Sequence, residues 1–181
     1  ETFVASRWAE LQRSPNRKLC QVFQRLVHLL SCVRNEAEGR RGLHCLQLFG
    51  AANGGHQVVH KLCDIGLGAF AFGEMSPTSQ VRFREGMRLV FRRAMHLLPR
   101  GALWVTMNGA TWSVHRRSDT GRVDRYPRGS EDIKSVFQAN ATATHVSIIA
   151  LLCWLRGSEV CICIQPGTLF WKFDPIDQLT Q

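Results

Sequence analysis

The apolar residues of this 181-residue chain keep a helical period through the first half and shift to a period of two just past Pro99. That change bounds the fold more tightly than any single motif. Leu19, Val22, Phe23, Leu26, Val27, Leu30 and Val33 recur at three- and four-residue steps, the pattern of an amphipathic helix. Phe83, Met87, Val90, Ala94, Leu97 and Leu98 draw a second stripe along a helix opened by Ser76-Pro77 and stopped by Pro99-Arg100-Gly101. Shorter helices are expected over Phe3–Gln12 and over His56–Asp64, the latter closed by Gly66. Leu43–Ala52 is compatible with either state, and Gly68–Phe72 suits a short strand.

Beyond Pro99, Leu103–Met107 and Thr111–His115 flank Asn108-Gly109, the favoured pair for a tight hairpin. Ser130-Glu131-Asp132 suits the start of a short helix reaching Gln138, followed by a small-residue loop over Asn140–Thr144. His145–Trp154, Glu159–Ile164 and Leu169–Phe173 then read as a meander turned at Arg156-Gly157-Ser158 and Pro166-Gly167. Helices first and strands later predict a single α+β domain over residues 1–181. Its N-terminal helices should pack on a largely antiparallel C-terminal sheet.

A formal net charge of +9 points to an acidic partner, whether protein, nucleic acid or anionic lipid. Arg82, Arg84, Arg88, Arg92 and Arg93 fall mostly opposite the apolar stripe of their helix, with Glu85 the nearby acid. Arg116, Arg117, Arg122, Arg125 and Arg128 follow on the hairpin and its exit loop, in the company of Trp104, Trp112 and Tyr126. Arginine beside exposed aromatics is what single-stranded nucleic acid binding uses, and arginine and tryptophan also anchor protein interfaces. The simpler reading is a solvated helix face beside core tryptophans.

The seven cysteines contain no CxxC pair, which suggests unpaired thiols in a reducing compartment. Glu1–Leu11 has no apolar signal core, and the longest apolar stretch, Ile148–Leu155, is short for a bilayer span of about 20 residues. An intracellular protein of cytoplasm or nucleus, with no membrane span, is therefore expected. His56 and His60 stand at i and i+4 near His44, Cys45 and Cys63, but no recognised zinc spacing results. Cys161 and Cys163 share one face if they lie on a strand. The glycines match neither a Rossmann fingerprint nor a Walker A sequence, so no cofactor is expected.

Cys20, near a helix start and beside Arg17 and Lys18, is the candidate nucleophile; a buried core cysteine is the simpler alternative. The stretch VSIIALLCWLRGSEVCICIQPGTLFWKFDP, Val146–Pro175, resembles the closing strands of herpesvirus large-tegument deubiquitinase domains. Those domains run an aromatic-rich strand into Asp-Pro-His and cut ubiquitin chains with a Cys, Asp and His triad. The resemblance implies Asp174 as the triad aspartate and Cys20 as the nucleophile. Ile176 stands where the histidine belongs, which implies a non-catalytic relative. The expected function is a non-catalytic intracellular interaction module of viral host-interaction or tegument type, binding an acidic protein. The alternatives are nucleic-acid binding through the arginines and a papain-like cysteine protease.

Overall fold

The computed structural model describes residues 42–49, 57–72 and 84–180. The helices expected over Phe3–Gln12 and Leu19–Val33, the candidate nucleophile Cys20, and Arg82 lie outside these residues. The described elements run β1 Leu43–Leu48, α1 Gln57–Asp64, β2 Ala69–Phe72, α2 Arg84–Met95 and β3 Leu97–Thr106. They continue with a 3-10 turn at Val114–Arg116, α3 Arg117–Thr120, α4 Lys134–Leu155, β4 Glu159–Cys163, a second 3-10 turn at Leu169–Lys172 and α5 Asp174–Thr180.

The mixture of helices and strands is as expected, but the sheet is not antiparallel. Among the described residues it has four strands in the order β2-β1-β3-β4, and every pair is parallel. Parallel neighbours need crossover connections, and a helix stands between each strand and the next. The register puts Leu46, Leu103 and Val160 in one row and Leu48, Val105 and Ile162 in another. These rows form one face of the sheet and pack with Val90 and Ala94 of α2 and Val146, Ile149 and Ala150 of α4 into the main core. Cys45, Gln47, Trp104, Thr106, Cys161 and Cys163 fall in the alternate register rows, on the opposite face.

Two segments account for the difference in the sheet. Thr111–His115 does not return along β3 as a hairpin. Asn108 accepts the Ala110 N–H on its side-chain oxygen, a local turn that takes the chain out of the sheet. Trp112 then becomes fully buried against Phe170 and Phe173. The second segment is α4, which runs 22 residues through the expected loop at Asn140–Thr144 and the expected strand at His145–Trp154. Its threonines do not break it, because Thr142 and Thr144 donate back to the Gln138 and Asn140 carbonyls. An apolar run of β-branched residues fits a buried helix as well as a buried strand. Ser130 does not cap this helix; Ile133 occupies the cap position, with no side-chain bond.

The expected strand Leu169–Phe173 is likewise replaced by the 3-10 turn Leu169–Lys172. Strand β3 starts within the expected end of the preceding helix. Pro99, Arg100 and Gly101 form a bulge where the β1–β3 register shifts, with Arg100 at a left-handed φ of 64°. Helix α4 is long and apolar enough by composition to cross a membrane, and more than half of its apolar stretch is buried inside the molecule. Its packing on α2, β3, β4 and α5 is that of a core helix.

Candidate functional site: a basic and aromatic layer at the sheet edge

In a parallel sheet all strands end on the same side, and open α/β sheets bind ligands outside those carboxyl ends where the strand order reverses, here between β1 and β3. The segments leaving β3 and β4 there are stitched together. Met107 N–H donates to Cys163 O, Ser113 pairs with Thr168 in an isolated bridge, and Leu169 N–H donates to Trp112 O at 2.8 Å. Residues 107–133 and 164–173 therefore form one layer over the ends of β3 and β4.

Arg122 is the keystone of this layer. It is 0% exposed, and its guanidinium lies 3.5 Å from the centre of the Trp112 ring. It donates to the carbonyls of Pro127, Arg128 and Val136. Among the described residues no carboxylate forms an ion pair with it; Glu131 acts only at longer range. Burial consequently pushes the Arg122 pKa down to about 10. It remains charged at neutral pH and cross-links the loop from within. Asn140 of α4 adds a second tie by donating to Arg128 O and Glu131 Oε1, both at 2.9 Å.

On this base stands an exposed surface. Val123 and Tyr126 exchange backbone hydrogen bonds, so Asp124 and Arg125 form the tip of a tight loop. Tyr126 is 53% exposed and Val123 44%. Lys172 donates to Asp124 at 2.9 Å, and Arg117 reaches the other Asp124 oxygen at 3.4 Å. Lys172 holds the Asp124 carboxyl below its ordinary pKa, first by that hydrogen bond and then by charge. This shared carboxylate brings Arg117, the Tyr126 loop and the Trp171-Lys172 turn onto one surface, with Trp171 40% exposed. Arg116 pairs with Asp119, and Arg128 with Glu131.

Three of the expected site residues, Arg116, Arg117 and Arg125, lie in this layer and are exposed. Arg88 and Arg92 are exposed on α2, a separate element packed on the core face. Arg93 is drawn over the ring of Phe70 at 4.2 Å, and Arg84 opens the described part of α2. Asp174 is exposed at the first turn of α5, while Ile176 beside it is fully buried. Trp112, a potential platform by its sequence position, is buried and supports the layer instead. Trp171 and Lys172 escape the sequence pattern because their segment reads as strand; only the turn geometry exposes both.

Among the described residues the thiols and histidines gather in no group of three. Cys45 and Cys153 are buried, and burial raises both pKa values, that of Cys153 to about 12. His44 is exposed and accepts from Gly68 N–H, and no group of three metal-ligating side chains forms among the described residues. Compared with known proteins, the chain matches no family model, no curated protein and no solved structure.

Proposed function

We propose that the protein is an interaction module that docks an acidic protein on the layer at the carboxyl edge of its sheet. One observation carries this reading: Tyr126, Val123 and Trp171 are exposed together with Arg117, Arg125 and Lys172 on a loop layer fixed from beneath by buried Arg122. Tryptophan, tyrosine and arginine are the residue types that dominate binding energy at protein interfaces. A pre-ordered loop also loses less entropy on docking than a mobile one. The ion pairs to Asp124 hold the basic groups in place, and an acidic partner would compete for the same cations.

The test is retention of proteins from cell extract by the immobilised full chain, compared with an Arg117→Glu, Arg125→Glu, Trp171→Ala variant. A defined protein should be retained by the wild type, resist nuclease, weaken with salt and be lost by the variant. Retention that disappears on nuclease treatment would make nucleic acid the ligand and overturn the proposal. Equal retention by the variant would remove this surface from the site.

A further inference from the structure

Strand β4 carries two cysteines two residues apart at the edge of the sheet. The pleat sends Cys161 and Cys163 to the same face, and their sulfurs lie 3.8 Å apart. Both are free and half-buried, and they sit in register with Trp104 and Thr106 of β3. That face is the one opposite the main apolar core, so these thiols are not needed to fill it. Neither thiol takes part in the basic layer.

From this geometry we infer that Cys161 and Cys163 form a two-thiolate binding site for a soft monovalent cation, Cu(I). With a metal–sulfur distance of about 2.3 Å, sulfurs 3.8 Å apart subtend roughly 110° at a shared ion. Two-coordinate Cu(I) favours a wider angle, so binding requires side-chain rotation that moves the two sulfurs further apart. Two donors are all the described residues supply, since no third cysteine, histidine or carboxylate joins them in a metal-sized group. Soft thiolates suit Cu(I), zinc and iron–sulfur clusters alike, but zinc in a closed site and iron–sulfur clusters take four ligands, so a two-thiolate pair fits Cu(I). Binding displaces both thiol protons to solvent: Cu(I) and two thiols give a bis-thiolate cuprate carrying one negative charge, and two protons. No redox change occurs. A disulfide is a poorer outcome for this pair. Alternate strand residues lie roughly 6.6 Å apart, near the upper limit of disulfide spacing, so closing the bond would buckle the edge strand. The raised pKa of Cys163, caused by burial and then by its sulfur neighbour, is consistent with two thiols in direct contact.

The experiment uses the reduced full chain under anaerobic conditions, with Cu(I) supplied as its bicinchoninate complex and the probe's absorbance read as copper is withdrawn. One equivalent should be withdrawn. Cys161→Ser and Cys163→Ser should each weaken that withdrawal by more than the roughly 10- to 100-fold that loss of a supporting contact costs. Cys45→Ser and Cys63→Ser should leave it unchanged. A second readout needs no variant: one equivalent of Cu(I) should protect Cys161 and Cys163 from alkylation, located by peptide mass, while exposed Cys63 continues to react. Failure to withdraw copper, or protection of other cysteines in place of this pair, would overturn the site.

Discussion

Replacing Arg122 by methionine removes the guanidinium while keeping an apolar stem of similar length. Two of its bonds, to the Pro127 and Arg128 carbonyls, are charge-assisted, each worth about 1.5–3 kcal/mol, and stacking on Trp112 in a desolvated setting adds about 2 kcal/mol. Against this stands the cost of burying the charge. A fall in pKa from 12.5 to about 10 corresponds to about 3 kcal/mol. The sign follows from linkage. A base whose folded pKa is lowered binds fewer protons when folded, so this burial disfavours the native state at every pH below about 10, and that penalty fades only above it. The net loss on mutation is about 2–5 kcal/mol, of order 10 °C in Tm for a chain of this length. Urea denaturation at pH 7, followed by tryptophan fluorescence and by far-UV circular dichroism, measures it. Arg122→Lys should recover only part of the loss, because an ammonium neither stacks flat nor reaches several carbonyls at once. A methionine variant as stable as wild type would refute the assignment of Arg122 as the cross-link of the layer.

Three further outcomes follow from the same packing. Gly129→Ala should destabilise by about 2 kcal/mol or more in denaturant titration, because φ is +66° and an added Cβ would sit 2.6 Å from Thr120 O. Ile149→Ala, at a fully buried position between α4 and the sheet, should cost about 2–5 kcal/mol. The carboxyl carbon of Asp124 should titrate, by NMR, below the ordinary aspartate range. Its tie to Lys172 should hold above that range and loosen as pH falls through the depressed pKa, and Lys172→Met should return the midpoint toward the ordinary value.

The local signals in the sequence are legible where one element decides its own state. The α1 helix with its left-handed Gly66, strand β2 and strand β4 all stand close to where periodicity and turn residues put them. What local pattern leaves open is the choice between states that share it. Ile148–Leu155 is apolar throughout, which says that it is buried but not how it is coiled. Taking that run as a strand leads directly to a meander and an antiparallel sheet. The Asn108-Gly109 pair signals a turn, and a turn is present, but whether Trp112 returns along β3 or dives beneath Arg122 depends on partners some 60 residues away at Phe170 and Phe173. The basic surface is legible as composition, and Arg116, Arg117 and Arg125 stand out from it. That Arg122 is buried while Trp171 is exposed depends on tertiary contacts that no local pattern encodes.

The surface at the sheet edge is tested most directly by photocrosslinking in cells. A photoreactive phenylalanine analogue replaces Tyr126 in one variant and Ile65 in another. Ile65 lies just past α1 and is highly exposed, so it controls for accessibility alone. Docking of an acidic protein on the edge layer predicts a discrete protein adduct from position 126, absent from position 65 and lost when Arg117→Glu and Arg125→Glu are added. An adduct to nucleic acid, or equal labelling from both positions, would contradict it.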